Sequence, residues 1–257
     1  MSIILKNSAQ AASMRTAGKA VFLVHEALHK AIRPGVTTKE LDGICAETLK
    51  EHDCISSFFG YEGSFEAGPY PGYACISLNE VVIHGIPGLR KLRNGDIVSI
   101  DVGAYKNGFH ADAARTYIVG DAGEEDKRLV ETTRESFFKG LDFVKADRRL
   151  YEVSKAIQEH VEARGFSVVR DYVGHGIGKD LHESPEIPNY FPKGRGMGVR
   201  LMPGMTLAIE PMVNAGVYAV KVLDDLWTVV TKDGKKSAHY ENTVLVTDGQ
   251  PEILTLL

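Results

Sequence analysis

The chain has 257 residues, of which 44% are hydrophobic and 25% charged, and its formal net charge is −4. This length allows one large domain or two small ones, and the slight acidity excludes the basic footprint of a nucleic-acid-binding protein. Three cysteines without CxxC spacing exclude a disulfide framework, and the short apolar stretch at the N-terminus excludes a signal peptide. We therefore expect a cytoplasmic protein with neither a membrane nor a nucleic acid as partner.

The first part of the chain is predicted to form two helices followed by strands. One helix is expected over residues 8–32, where Arg33-Pro34-Gly35 ends it, and Thr38 is expected to cap the next helix. A loop rich in glycine and aromatic residues, about 58–73, leads to a strand at 74–78.

A hairpin is predicted from strands at 97–104 and 109–119 around the turn signal Lys106-Asn107-Gly108. Two pairing registers of this hairpin are possible. A turn centred between Lys106 and Asn107 sets Asp101 directly opposite Asp112, whereas a turn at Asn107-Gly108 makes them diagonal neighbours. Both registers leave the two carboxylates on one face, within reach of a shared ion.

The second part repeats this order. Helices are predicted at 124–144 and 150–165, and strands follow with a long loop at 181–200. Residues 95–101 align with 204–210, which superposes Asp101 on Glu210, and His84-Gly85-Ile86 matches His175-Gly176-Ile177. We infer one domain, 1–257, made of two pseudo-equivalent halves at about 8–119 and 124–247, with the site between them.

Five metal-binding side chains stand in strand-like segments: Asp101, Asp112, His175, Glu210 and Glu241. Carboxylates are poor strand formers, and a buried carboxylate is heavily penalised unless it is paired or bound to a metal. Four carboxylates and one imidazole exceed a closed tetrahedral zinc site and suit two divalent ions. The set predicts a dinuclear metallohydrolase. Two alternatives stay open: Asp112 caps a turn or pairs with Arg115, and Glu241 lies on a solvent-exposed strand face.

Five segments resemble the type I methionine aminopeptidases, in the same order along the chain: residues 77–87, 95–102, 108–112, 174–178 and 210–212. The resemblance runs from near residue 8 to the C-terminus. It implies the pita-bread fold, an α/β (α+β) domain with two pseudo-symmetric halves around a central antiparallel sheet. It also implies an enzyme that removes the initiator methionine from nascent proteins when the second residue is small, using a water activated by the metals.

The resemblance also implies a role for each site residue. Asp101 would bind one ion and His175 with Glu210 the other, while Asp112 and Glu241 would bridge the two. Catalysis is assigned to His84, His182 and Glu210, and substrate binding to His84, His182, Tyr61, Tyr70, Cys75 and Trp227. The two ions are expected to be cobalt, manganese, iron or zinc, and Asn79, Val81 and Ser237 are expected to bind a monovalent cation. The expected substrate is the N-terminus of a nascent polypeptide at the ribosome, and a monomer is expected.

The chain departs from the family pattern at two places. Residues 64–69 lengthen a loop beside the methionine pocket, and Leu181 stands where relatives often have phenylalanine. Two other functions share the implied fold. A proline-specific aminopeptidase or prolidase would carry an additional N-terminal domain, and a non-catalytic binding module would lack some of the five ligands.

Overall fold

The computed structural model describes residues 3–63 and 66–256. Its helices are α1 (Ser8–Ala31), α2 (Thr38–Glu51), α3 (Glu124–Leu141) and α4 (Leu150–Glu162). Its strands are β1 (Ile55–Ser56), β2 (Cys75–Leu78), β3 (Val81–Ile83), β4 (Ile97–Lys106), β5 (Phe109–Ile118), β6 (Ser167–Val168), β7 (Gly174–Gly176), β8 (Glu183–Ile187), β9 (Thr206–Ile209), β10 (Met212–Asn214), β11 (Val220–Val222), β12 (Val229–Thr231), β13 (Ser237–His239), β14 (Asn242–Leu245) and β15 (Glu252–Ile253).

The helix predictions are confirmed in number and position, with differences at their ends. The predicted cap at Thr38 is wrong, because the cap of α2 is Thr37. The Thr37 hydroxyl accepts a hydrogen bond from the Glu40 amide at 3.1 Å, and the Glu40 carboxylate accepts one from the Thr37 amide at 2.7 Å. This reciprocal pair is a capping box, which satisfies two amides that the first helical turn leaves unpaired.

The region predicted as a long loop, 181–200, contains strand β8. Ser184 and Pro185 within this segment favour a loop, because proline lacks the amide hydrogen that a strand ladder needs. Strand β8 tolerates Pro185 because it lies at the edge of its sheet, with β7 as its neighbour. The prediction of a long loop is therefore wrong for Glu183–Ile187.

Two antiparallel sheets form the centre of the molecule. In one, β4 pairs with β5 on one side and with β1 and β2 on the other. The other has the order β15-β14-β9-β7-β8. Smaller sheets, β13-β10-β6 and β11-β12-β3, flank them.

The helices cover the outer faces of these sheets. Val98, Ile100 and Val102 of β4 are fully buried in a cluster that also contains Val24 of α1 and Leu41 of α2. Side chains alternate along a strand, so Asp101 is directed to the opposite face of β4, away from α1 and α2. A second cluster joins α3 and α4 to β9 and β14 through residues such as Phe137, Ile157, Leu207 and Val244.

The inner faces of the two central sheets meet where β5 contacts β14. The Glu241 amide donates to the Ala114 carbonyl at 2.9 Å, and the Thr243 hydroxyl donates to the Asp112 carboxylate at 2.9 Å. All three cysteines, Cys45, Cys54 and Cys75, are free thiols, as predicted. Among residues 3–63 and 66–256, none of the helices has the length and apolar character needed to cross a bilayer.

Candidate metal centre

The β4–β5 hairpin adopts the second of the two predicted registers. Asp101 pairs with Ala114, and Gly103 pairs with Asp112. The turn residues Asn107 and Gly108 have φ angles of 53° and 83°, and two consecutive positive φ angles are the signature of a type I′ hairpin turn. The carboxylates of Asp101 and Asp112 are therefore diagonal neighbours on the face directed at the second sheet.

The other three candidate ligands come from the second sheet. His175 on β7 pairs with Ala208 of β9, Glu210 directly follows β9, and Glu241 directly precedes β14. The pairing of β9 with β14 keeps the ends that carry Glu210 and Glu241 side by side. One ligand atom each from Asp112, His175 and Glu241 lies within 4.8 Å of the others. The five predicted ligands thus meet where the two sheets face each other.

His175 presents a nitrogen lone pair to the carboxylates. Its Nδ1 lies 2.9 Å from the Gly176 carbonyl oxygen, which only accepts, so Nδ1 carries the proton. Burial lowers the pKa of His175 to about 4, so its ring is neutral near pH 7. The unprotonated Nε2 faces Asp112 Oδ2 and Glu210 Oε1, each at 3.6 Å. Three electron-rich atoms at these distances repel one another, and a cation among them removes that repulsion.

Among the described residues, the carboxylates of the cluster form ion-pair contacts with histidines and with no lysine or arginine. Burial raises the pKa of Asp101, Glu210 and Glu241 well above the usual range, and the charges of neighbouring carboxylates raise it further. Burial also raises the pKa of Asp112 to about 6. The Oδ1 atom of Asp101 is buried and has no hydrogen-bond partner among the residues that the structure describes. This donor set fits divalent cations, which supply the missing charge and accept carboxylate and imidazole ligands.

Arg115 does not neutralise Asp112. Its guanidinium donates to the carbonyl oxygens of Ala114 and Glu241 and, at 2.6 Å, to Asn242 Oδ1. The alternative in which Asp112 pairs with Arg115 is therefore wrong. Glu241 is 2% exposed, so the alternative of an ordinary solvent-exposed glutamate is wrong as well.

A cavity of about 140 Å³ opens onto the cluster. A cavity of about 150 Å³ holds one benzene molecule, so this one has room for a single side chain of similar size. All five candidate ligands and all six candidate substrate residues line it, together with Phe58 and Leu181. The candidate substrate residues are Tyr61, Tyr70, Cys75, His84, His182 and Trp227. The structure thus brings every residue of the predicted site into one cavity wall.

His182 and His84, which are not candidate ligands, are positioned by different contacts. His182 Nδ1 lies 2.9 Å from the Tyr61 hydroxyl, and its ring centroid lies 4.4 Å from that of His175. His84 has a φ angle of 57°, a left-handed conformation that non-glycine residues seldom adopt outside functional or turn positions. Its ring meets that of Trp227 edge-on. Burial lowers the pKa of both histidines to about 4, so both are neutral near pH 7.

Sequence reasoning missed three residues of this site. Thr243 accepts a hydrogen bond from the Asp112 amide and donates to the Asp112 carboxylate, and a threonine in a strand gives no signal of this. His239 is 2% exposed with Nε2 3.8 Å from Glu210 Oε2. Its position two residues before Glu241 was the available signal. Phe58, at the start of the aromatic loop, lines the cavity.

The lengthened loop lies against the cavity wall. Trp227 Nε1 donates to the Ala67 carbonyl at 3.3 Å, and a Cβ atom on Gly63 would stand 2.5 Å from the Trp227 ring. Of the predicted insertion, Ser64 and Phe65 lie outside the described residues. Leu181, at the other noted departure, is 6% exposed and lines the cavity.

The fold and the cluster define a metal-dependent hydrolase, and comparison with known proteins agrees. The chain belongs to metallopeptidase family M24, whose profile matches residues 12–248. It is 54% identical over 255 residues to the methionine aminopeptidase of Clostridium perfringens, an alignment that covers 99% of each chain. The crystal structure of methionine aminopeptidase from Thermotoga maritima superposes with a TM-score of 0.94 at 46% identity and covers 100% of both chains. The predicted resemblance, the predicted enzyme class and the pita-bread fold are confirmed.

The proline-specific alternative is not favoured. The prolidase from Pyrococcus furiosus has a TM-score of 0.77 and only 21% identity, which shows a shared fold. That superposition includes 99% of this chain but only 66% of the prolidase chain. The non-catalytic alternative is not favoured either, because all five candidate ligands are present in one cluster.

Proposed function

We propose that this protein is a methionine aminopeptidase that removes the initiator methionine from polypeptides whose second residue is small. The observation that carries the proposal is the cavity, which has room for one side chain and shares a wall with the carboxylate cluster. A methionine side chain in this cavity would hold its α-amino group and the first peptide bond beside the metals. Binding of the free α-amino group beside the metals would restrict cleavage to the N-terminus.

Two divalent ions would be held by the five clustered side chains. Asp101 would bind one ion and His175 with Glu210 the other, while Asp112 and Glu241 would be shared. The bound ions would activate water as a nucleophile and polarise the scissile carbonyl. Carboxylate and imidazole ligands accept manganese, iron, cobalt and zinc, so cellular supply would select among them.

His182 would donate a hydrogen bond to the scissile carbonyl oxygen as negative charge develops there. If the Tyr61 hydroxyl donates to Nδ1, the proton of the neutral ring would lie on Nε2, where it would be available to the substrate. A fixed donor directed at developing charge needs no reorganisation during the reaction, which is why such donors lower barriers. His84 would orient the peptide nitrogen.

Glu210 would carry a proton from the attacking water to the leaving amine, in addition to its role as a ligand. The residues that contact the methionine side chain would be Tyr61, Tyr70, Cys75 and Trp227. Tyr70 is fixed by a 2.8 Å hydrogen bond from its hydroxyl to the Gly85 carbonyl, and its ring meets Trp227 edge-on. These rings and the Cys75 thiol form an apolar surface suited to a thioether.

We propose further that the chain acts as one catalytic domain, 1–257, whose halves at about 8–119 and 124–247 arose by duplication. The first half supplies Asp101 and Asp112, and the second supplies the other three ligands. The enzyme would work as a cytoplasmic monomer on nascent N-termini at the ribosome, without binding nucleic acid or membrane directly.

A monovalent cation would bind near Asn79, Val81 and Ser237. The Ser237 amide donates to the Asn79 carbonyl at 2.8 Å, which brings these segments together. Both ends of the Asn79 side chain are already engaged, by Asp96 and by the Ile97 amide. Main-chain carbonyl oxygens would therefore supply most of the ligands.

The proposal is tested by stripping the protein with a chelator, adding back each divalent metal separately, and assaying Met-Ala-Ser beside Ala-Pro-Ser. We expect metal-dependent release of methionine and no hydrolysis of the proline peptide. Preferential cleavage of Ala-Pro-Ser would refute methionine specificity, and absence of metal-dependent hydrolysis of either peptide would refute an enzymatic role.

A further inference from the structure

A buried ion pair joins the N-terminal segment to the loop that carries His182. Lys6 Nζ lies 2.5 Å from Glu183 Oε2, and the two side chains are 2% and 4% exposed. Every other lysine or arginine ion pair among the described residues has both side chains at least 20% exposed. Desolvation offsets most of the attraction in a buried pair, so stability alone is a weak reason for placing these charges here.

The Glu183 carboxylate closes the turn that precedes His182. Its Oε1 accepts hydrogen bonds from the Lys179 amide at 2.8 Å and from the Asp180 amide at 3.4 Å. The Gly178 amide donates to the Asp180 carbonyl at 3.0 Å within the same turn. A Cβ atom on Gly178 would stand 2.4 Å from both the Glu183 carboxylate and the Lys6 side chain, so the turn packs directly onto the ion pair.

Lys6 is itself held in place from two sides. Its amide donates to the Gly204 carbonyl at 2.7 Å, and its ammonium donates to the Ile4 carbonyl at 3.2 Å. Gly204 precedes β9, which leads to Glu210. The cation therefore has a fixed position relative to the second sheet, and the turn that presents Leu181 and His182 to the cavity is tied to it.

We propose that Lys6 is a positioning residue for His182, acting through Glu183. The ammonium places a positive charge beside the buried Glu183 carboxylate, and this carboxylate accepts the two amides that define the turn. Without Lys6, the buried carboxylate has no positive charge beside it and moves towards solvent, and the amides of the turn are released. The His182 ring then loses its fixed direction. This inference rests on the role assigned to His182 under the proposed function.

The test compares Lys6→Met with the double variant Lys6→Met/Glu183→Gln. In the single variant we expect kcat on Met-Ala-Ser to fall about tenfold or more, with KM and bound metal nearly unchanged, since misplacing a catalytic group by about 1 Å costs up to ~100-fold. The double variant has no buried charge, and its amide oxygen still accepts from the turn, so kcat should recover to within about threefold of wild type. Arg15→Met, which breaks the exposed pair with Glu252, is the matched control and should leave kcat unchanged.

A second comparison works even if Lys6→Met does not fold. Lys6→Met/Glu183→Leu is also neutral at both positions but lacks the acceptor, so it should lose kcat where the Gln variant keeps it. Equal kcat for these two double variants, or a loss that follows the melting temperature or the metal content, would overturn the positioning role. His182→Ala is assayed alongside: unchanged kcat there would refute the catalytic role of His182 itself, whatever the Lys6 variants do.

Discussion

The Tyr61 hydroxyl lies 2.9 Å from Nδ1 of His182. Because the ring is neutral near pH 7, one nitrogen accepts and the other carries the proton. A hydroxyl that donates to Nδ1 keeps the proton on Nε2, the tautomer that donates towards a substrate carbonyl. We therefore expect Tyr61 to contribute to turnover as well as to the wall of the cavity.

Replacing Tyr61 with phenylalanine keeps the ring and removes the hydroxyl. We expect kcat on Met-Ala-Ser to fall roughly fivefold, the equivalent of one neutral hydrogen bond of about 1 kcal/mol, with KM within about twofold of wild type. Steady-state kinetics on metal-loaded protein measures both constants. Tyr218→Phe, which removes an exposed hydroxyl elsewhere, is the control. A change confined to KM would mean that the hydroxyl serves only substrate binding.

Asp112→Asn and Glu241→Gln each remove one charge from the carboxylate cluster. Turnover should fall below about a tenth of wild type at saturating metal, because each residue would contribute to both ions. The metal-free variants should melt no lower than metal-free wild type, since the buried carboxylates raise one another's pKa and therefore repel. Calorimetry in chelator and metal analysis provide the measurements. Asp126→Asn, outside the cluster, should keep activity; wild-type turnover in either cluster variant would exclude a shared ligand.

His25 makes the folded protein sensitive to acid. Its Nε2 donates to the Ala113 carbonyl at 2.8 Å, and its Nδ1 lies 2.9 Å from the Tyr117 hydroxyl. Burial, helped by the charge of Arg115, lowers its pKa from 6.5 to about 3. The unfolded chain therefore binds the proton first, and the stability due to His25 is complete above pH 6.5 and lost as pH falls towards 3.

Urea unfolding of metal-free protein at several pH values tests this effect. Between pH 7 and pH 4, wild type should lose on the order of 3 kcal/mol more unfolding free energy than His25→Gln, which does not titrate. The other buried histidines contribute equally to both proteins and cancel in the difference. Parallel stability curves for the two proteins would show that His25 is protonated in the folded state.

Peptide specificity should differ between the first and second residues. A cavity of this kind separates methionine from leucine by about 1–3 kcal/mol, so norleucine should be accepted and leucine cleaved slowly. A bulky second residue must clash with walls beside the metals, so Met-Ala-Ser should be cleaved while Met-Phe-Ser is nearly inert. The measurement is kcat/KM for Met-Ala-Ser, for Met-Phe-Ser, and for the two peptides in which norleucine or leucine replaces the methionine of Met-Ala-Ser. Comparable values for Met-Ala-Ser and Met-Phe-Ser would contradict the proposed selectivity.

The candidate ligands were predictable because their chemistry conflicts with their surroundings. Asp101 interrupts an apolar strand, and a carboxylate in such a run needs a partner that the neighbouring residues do not provide. The period of two along a strand places Asp101 and Asp112 on one face in either hairpin register. Local pattern was therefore sufficient to identify the pair and to predict a metal site.

The tertiary structure decided what depends on contacts between distant segments. The register followed from the positive φ angles of Asn107 and Gly108, and the tautomer of His175 followed from the Gly176 carbonyl oxygen. The pairing of Lys6 with Glu183 spans 177 positions along the chain. Sequence patterns report a residue's propensity and its near neighbours, whereas the direction of a lone pair or the partner of a buried charge is set by packing across the fold.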